Sequence, residues 1–325
     1  MDNNAKMRPL CIAEILYKMT DECNHLSTAD IIKILKNKYN INGHRITIAS
    51  DIELLREFGM DIEVEKSRSN KYYLASREFD LPEVKLLIDS VASSKFITER
   101  KSNELISKLG KLVSNMQSNS LKRNVMPEGR IKAGNENIYY IVDTINSAIN
   151  LGNKISFQYF SYNIQRQPQV KHYGEEYIFS PYYLVWNGDF YYVVGYSQKH
   201  KDIGCFRVDR IVKAPKILDE PAIPMPVDFD LNRYINTNFR MYSSEHQQVE
   251  LLCDNSVIDS VIDKFGDKLE IKINNSKTFV AVVEVAVNHI FLSWIFGFGG
   301  KVRIKSPDLV SDKYKDMLRK ACENI

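Results

Sequence analysis

Apolar residues recur every three to four positions through the start of the chain and then begin to alternate, the change of period that separates helix from strand. Within Met7–Thr20, Leu10, Ile15 and Met19 fall near one face, with Ile12 and Leu16 beside them. Ser27-Thr28-Ala29-Asp30 reads as a helix N-cap with an acidic third position, opening a second helix with Ile31, Ile32, Ile34 and Leu35 as its stripe. Asn40-Ile41-Asn42-Gly43 breaks the pattern. A third helix is predicted from about Thr47 to Phe58, burying Ile48, Ile52 and Leu55 and ended by Gly59. Two strand-like runs follow, Asp61–Lys66 and Asn70–Ala75. Three helices and a hairpin in this order predict a winged helix-turn-helix.

Residues 77–132 return to the helical period. Asp80-Leu81-Pro82-Glu83 places proline in a first turn, with Val84, Leu87, Ile88 and Val91 as the stripe; a second helix, about Lys101 to Met116, carries Leu105, Ile106, Leu109, Leu112 and Val113. Such amphipathic helices suit a dimer interface or a rigid linker. Ser114 to Gly134, rich in Ser, Asn, Lys and Gly, marks a boundary. Beyond it a helix over about Asn137–Leu151 precedes strands at Lys154–Phe160, Glu176–Trp186, Phe190–Tyr196 and Gly204–Ile211, which suggest a small SH3- or Sm-like β-barrel. A connector with Pro215, Pro221, Pro224 and Pro226 leads to a final segment. Its pattern is strand, helix, strand, strand, helix, strand, helix, the order of a ferredoxin-like split β-α-β domain. Trp294-Ile295-Phe296-Gly297-Phe298-Gly299-Gly300 follows an apolar helix and lacks a GK[ST] ending, so it reads as a helix-ending turn and not a phosphate loop. The predicted fold class is α+β and multidomain: 1–76 winged helix-turn-helix, 77–132 helical linker, 133–225 barrel, 226–246 linker, 247–325 ferredoxin-like α/β domain.

Two stretches carry candidate chemistry. In a winged helix-turn-helix the third helix enters the DNA major groove by its first turns. The outward residues there are Arg45, Thr47, Ser50 and Asp51, with Arg56 further along. The wing offers Lys66, Arg68 and Lys71 to phosphate or the minor groove. The second stretch runs from Phe157 to Tyr196 and holds 14 of the chain's 35 aromatic residues, including 9 of its 18 tyrosines. A barrel core needs only part of these. Phenol rings with cations one strand away compose a surface that stacks on bases and pairs with phosphate. Tyr159, Lys171, His172, Tyr182, Arg207 and Arg210 are the candidates, with the loop Gln165–Gly174 placed to close over a ligand. Alternation puts Phe206 and Val208 on one face of the last strand, Arg207 and Asp209 on the other. The plainer role for Arg207 is a salt bridge with Asp209.

These residues also carry a family resemblance. Pro181-x-x-Leu184, Gly188-x-Phe190-Tyr191-Tyr192 and Phe206-Arg207-Val208-Asp209-Arg210-Ile211 resemble the WYL domain of bacterial transcriptional regulators. The triplet that names the family is Phe190-Tyr191-Tyr192 here, keeping only its middle letter. The helix-turn-helix that precedes WYL domains is similar at Arg45, Thr47, Ile48, Asp51 and Ile52, and departs at Ala49 and Ser50, where Tyr and Arg are usual. The final segment resembles the extension often found behind WYL domains. The resemblance implies a barrel that senses a nucleic-acid-like ligand.

Composition narrows the field further. A hydrophobic fraction of 44% and charged fraction of 26% describe a folded chain without an eighteen-residue apolar run. Five scattered cysteines without CxxC, and an N-terminus lacking a signal-like apolar region, lead us to expect a cytoplasmic protein with no disulfide framework and no membrane contact. Net charge is only +3, and residues 1–76 carry 11 basic against 11 acidic residues, so nucleic-acid binding rests on local geometry. The six histidines show no HxH or HExxH spacing, and no GxSxG, Walker or kinase set occurs. No enzyme activity, metal or cofactor is expected. The expected function is a homodimeric DNA-binding transcriptional regulator that reads an inverted repeat in double-stranded DNA. An oligonucleotide or nucleotide-like effector would act at the WYL domain. The alternatives are a defence-associated accessory protein binding RNA or single-stranded nucleic acid through that domain, and a structural adaptor.

Overall fold

A computed structural model describes residues 3–66, 69–123, 132, 134–237 and 246–323, and the chain divides into two compact units, 1–136 and 137–325. In the first unit α1 (Asn3–Met19), β1 (Leu26–Ser27), α2 (Thr28–Tyr39), α3 (Arg45–Glu57), β2 (Ile62–Glu65) and β3 (Lys71–Leu74) follow in order. The strands form an antiparallel sheet of order β1-β3-β2. The period-3.6 residues close one core: Ile12, Ile15, Leu16, Ile31, Leu35, Ile48 and Ile52 are all buried. α2 opens with the expected reciprocal cap, the Asp30 amide donating to Ser27 Oγ at 3.2 Å and the Ser27 amide to Asp30 Oδ2 at 3.0 Å. α3 begins two residues earlier than the pattern indicates, because His44 takes the N-cap position and Thr47 binds back to it.

A second layer of the same unit contains α4 (Leu81–Ser93), α5 (Glu99–Leu109), a 3₁₀ turn at Gly110–Leu112 and α6 (Asn115–Arg123). They share a core of Val84, Ile88, Ile106, Val113 and Leu121. The expected single helix to Met116 is broken at Gly110, and the stretch read as a boundary begins with a helix. Ser114 and Gln117 explain it: the Gln117 amide donates to Ser114 Oγ at 3.1 Å and the Ser114 amide to Gln117 Oε1 at 3.2 Å. The ammonium of Lys132 donates to the carbonyls of Val91, Ala92 and Ser94, which α4 leaves unpaired at its end.

A buried polar cluster ties these layers together. The Asp21 carboxylate, 3% exposed, accepts from Ser114 Oγ, from the Cys23 amide at 3.0 Å and from Asn24 Nδ2 at 2.7 Å. Arg77 donates to the Thr20 carbonyl at 2.7 Å and lies over the Tyr17 ring. Burial alone would raise the Asp21 pKa, but the hydrogen bonds to the ionised form outweigh it and hold it below the usual carboxylate range. A depressed folded pKa stabilises above the unfolded value of about 3.9, and that stabilisation is lost as pH falls through the folded value. Asp21→Asn should therefore lower stability at pH 7 and flatten the acid limb of the stability curve below about pH 4, as read by urea unfolding across pH.

The second unit begins with α7 (Ile138–Leu151), then β4 (Asn153–Phe157), β5 (Phe160–Tyr162), β6 (Pro168–Val170), β7 (Tyr177–Asn187), β8 (Phe190–Ser197), β9 (Asp202–Arg207) and β10 (Lys216–Pro221). The main sheet is antiparallel, order β10-β4-β7-β8-β9, and β5 pairs only with β6. It is not the closed barrel expected. The edge strands β9 and β10 do not meet, because the chain leaves β9 after Arg207 into a 3₁₀ turn, Val208–Arg210, and rejoins by a single bridge from Ile211 to Tyr159. The run expected as one strand, Gly204–Ile211, is thus a strand and a turn. Lys216–Pro221, read as connector, is an edge strand, where proline is tolerated. α7 buries Ile141, Ile145 and Ala148 against β4 and β7.

The unit continues with α8 (Leu231–Thr237), β11 (His246–Asp254), α9 (Ile258–Phe265), β12 (Glu270–Ile273), β13 (Thr278–Ala286), α10 (His289–Phe296), β14 (Val302–Ser306) and α11 (Asp308–Cys322). Sheet order β12-β13-β11-β14, wholly antiparallel, is that of the expected split β-α-β arrangement. Gly299 and Gly300 take positive φ after α10, the backbone of a helix-ending turn.

Candidate ligand site

The aromatic surplus resolves into core and wall. Phe157, Tyr159, Tyr177, Phe179 and Phe206 pack mostly edge to face, centroids 5.1–6.2 Å apart. Beside this cluster a groove of about 760 Å³ opens along β8, β9 and the 3₁₀ turn. Four of the six predicted ligand residues line it: Tyr159, Lys171, Arg207 and Arg210. The β7–β8 turn adds Asn187, Gly188 and Asp189, and α10 adds Ile290.

The four do different work. Tyr159 is 8% exposed and its hydroxyl accepts from the Arg207 amide at 3.2 Å; burial pushes its pKa up. It has no open face for a base and serves as a wall. Arg207 forks onto Asp209, Nε to Oδ1 at 3.1 Å and Nη2 to Oδ2 at 2.7 Å, with its guanidinium 3.3 Å from the Phe190 ring centre. Burial works to lower its pKa, and the bonds to Asp209 more than offset that and raise it. The plainer role holds for Arg207: its charge is already matched. Arg210 differs. Its Nε is buried with no hydrogen-bond partner among the described residues, and the side chain borders the groove. A buried guanidinium nitrogen without an acceptor calls for one. Lys171 supplies a second cation, Nζ 5.9 Å from the Tyr159 ring centre.

The other two candidates are not in the groove. His172 lies edge-on to Tyr177, centroids 5.8 Å apart. Tyr182 donates from its hydroxyl to the Pro224 carbonyl at 3.2 Å and lies near Phe229. Sequence reasoning missed Asn187-Gly188-Asp189 as a lining element; it left these residues only as the link between two predicted strands, with nothing to say which way the turn's tip faces.

The DNA candidates fall on the first unit. Arg45 and Ser50 are exposed on α3, and Lys66 is exposed after β2. Thr47 Oγ1 is spent on His44, donating to its carbonyl at 2.7 Å and accepting from its amide at 3.0 Å. Asp51 is buried in an ion pair with Arg8. Arg56 donates to the Ile62 carbonyl at 2.7 Å and to Glu53, while Lys71 lies 3.7 Å from Glu65. Arg68 lies outside the described residues. The exposed side of α3 also carries Ile46 and Leu54, at 85% and 53%, and Phe58 just after the helix is 84% exposed.

The sequence matches the WYL domain over residues 140–215 and the WCX domain over residues 245–322. The chain carries a WYL domain followed by a WCX domain. The groove therefore belongs to the WYL domain, with Ile290 contributed from the WCX domain. Two solved structures are similar. Proteasome accessory factor B/C (PafBC) of Arthrobacter aurescens is 16% identical with a TM-score of 0.30, covering 95% of this chain and 45% of that one. A CRISPR Cas-related protein is 11% identical with a TM-score of 0.35, covering 57% and 52%. The chain spans about half the length of each. No curated protein matches it significantly.

Proposed function

We propose that the protein is a DNA-binding transcriptional regulator of the WYL class, in which an anionic, nucleotide-like effector bound at the WYL groove changes DNA affinity. The observation that carries the reading is Arg210, a groove-lining cation whose buried Nε has no acceptor among the described residues, in a WYL domain. A phosphate oxygen is the acceptor such a site selects. Residues 1–76 are read as a winged helix-turn-helix: three helices and a two-stranded hairpin in its order, with Arg45 and Ser50 exposed on the third helix. A symmetric dimer on an inverted repeat is the matching assembly. Among the described residues no helix is long and apolar enough to cross a membrane. Catalysis has no part in this reading.

The test is titration of the DNA upstream of the protein's own gene, with and without short oligonucleotides. Arg45→Ala should weaken duplex binding by about 1–3 kcal/mol if Arg45 reads a base, and Lys66→Ala should weaken all sequences alike. Unchanged duplex affinity after deletion of residues 1–76 would sink the DNA assignment. One observation favours a second reading. The exposed apolar residues Ile46 and Leu54 on α3, with Phe58 just after it, suit a protein contact, making the chain an accessory protein that binds RNA or single-stranded nucleic acid through its WYL domain.

A further inference from the structure

The first two turns of α3 offer few polar groups to a partner. Thr47 is turned back onto His44, donating to its carbonyl at 2.7 Å, and Asp51 is buried in its pair with Arg8. Between residues 45 and 52 that leaves Arg45 and Ser50 as the exposed polar side chains. The surface between them is apolar. Ile46 is 85% exposed, and Ala49 and Ser50, three and four residues on, adjoin it on the same face. At that exposure Ile46 takes almost no part in the core that Ile48, Ile52 and Leu55 close. Charge separates this end of the helix from the other. The single carboxylate of residues 45–52, Asp51, is matched by Arg8, whereas Glu53 and Glu57 are exposed on the later turns. Arg45 and the positive end of the helix dipole make the first turns the ones suited to a polyanion. Lys33 and Lys36 on α2 and Lys66 after β2 add exposed cations in the same unit.

We propose that Ile46 reads the C5-methyl group of thymine in the DNA major groove, so that each half-site of the target carries a thymine where this side chain lands. The proposal rests on the reading of residues 1–76 as a DNA-binding winged helix-turn-helix and adds the base that it selects. In such a domain the first turns of the third helix face the base edges. The thymine methyl is the one apolar group in the donor and acceptor pattern that base pairs show there. Isoleucine and alanine have no hydrogen bond to return to a donor or acceptor, and covering one with an apolar group costs the hydrogen bond it made to water. A methyl group has none to lose, and its contact with Ile46 takes two apolar surfaces out of water. Ser50 discriminates little, because a hydroxyl both donates and accepts. Ala49 carries nothing beyond its Cβ, which lets the helix approach the base edges closely. A protein partner is the other occupant that an exposed isoleucine fits.

The test is binding of the full chain to a duplex that it selects from a random-sequence pool, made once with thymine and once with uracil in its place. Uracil keeps the hydrogen-bonding groups of thymine and lacks only the methyl. The uracil duplex is expected to bind roughly 4-fold more weakly for each methyl contacted. Single thymine-to-uracil replacements should trace the loss to one position in each half-site. Ile46→Ala should weaken the thymine duplex by a similar factor and bind the two duplexes equally, with Ile46→Val in between. Its thermal melt should be unchanged or slightly raised, because alanine is the better helix former and the side chain removed lies outside the core. Equal binding of both duplexes by the wild type overturns the thymine contact and leaves DNA binding standing. An Ile46→Ala variant that still distinguishes the two duplexes overturns it too; with wild-type affinity retained, the isoleucine is left for a protein contact. Failure of the pool to yield any bound duplex overturns the DNA reading and the thymine contact with it.

Discussion

Gly195→Ala should lower the melting temperature of the unit spanning residues 137–325 by roughly 6–12 °C, or prevent its folding, as read by calorimetry or circular dichroism. Gly195 sits in β8 where β7 bulges between Pro181 and Tyr183. A Cβ there would lie 2.1 Å from the Ser180 carbonyl oxygen and 2.8 Å from Cε1 of Phe179. The first obstacle is backbone on the neighbouring strand, and the second is a fully buried ring in the aromatic core. Neither can turn aside as a flexible side chain would. Overpacking costs about 1–3 kcal/mol where side chains can adjust. A backbone clash inside a sheet belongs at or above the top of that range. The cross-strand partner makes the control. Gly204 in β9 faces Gly195, yet a Cβ on it meets nothing within 4 Å and its φ is not positive. Gly204→Ala should be neutral or stabilise by about 0.4–1 kcal/mol through the unfolded chain. Equal melting of the two variants would refute the packing argument.

The contrast shows what a sequence exposes and what it hides. Helices α2, α3 and α4 were legible because period and capping residues agree over a dozen positions, as at Ser27 and Asp30. The succession of strands and helices in the last segment was legible from its changes of period. α6 was missed although Ser114-Asn115-Met116-Gln117 is a capping signature, since its polar composition drew the eye to a loop. The open sheet was not legible. Residues 206–209 keep an alternating pattern, yet Val208–Arg210 form a 3₁₀ turn, and alternation cannot report where hydrogen-bonded pairing stops. The aromatic count was likewise blind to burial. It named Tyr159 as a stacking face, whereas the ring is enclosed by Tyr177 and Phe206. The exposed Tyr173 was part of the same count and drew no separate notice. On α3 the helical stripe told which residues go in, but not that Thr47 and Asp51 would be taken up by His44 and Arg8.

The two arginines of the 206–211 segment should part company on substitution. Arg207→Ala removes one partner of an ion pair whose side chains are only 22% and 12% exposed, and takes both guanidinium hydrogen bonds from the largely buried Asp209 carboxylate. Breaking a fully buried pair costs about 3–5 kcal/mol; the residual exposure here brings the expected loss to about 2–3 kcal/mol, visible as a lower denaturant midpoint. Loss of effector binding in that variant would follow from the damaged wall and say little about direct contact. Arg210→Ala removes a guanidinium whose buried Nε has no acceptor among the described residues, so stability should stay within about 1 kcal/mol of wild type. Its cost should appear instead in ligand binding. A charge-assisted, two-pronged contact to phosphate is worth about 2–4 kcal/mol, so nucleotide affinity should fall roughly 30- to 1,000-fold, and Arg210→Lys should recover only part of it because a lysine offers no fork. The double substitution Arg207→Ala with Asp209→Ala sharpens the separation. It removes both charges together and should be more stable than Arg207→Ala alone, since no largely buried carboxylate is left without its countercharge. Should Arg210→Ala unfold the unit while nucleotide affinity survives in Arg210→Lys undiminished, the guanidinium is structural and the groove's phosphate partner must be Lys171.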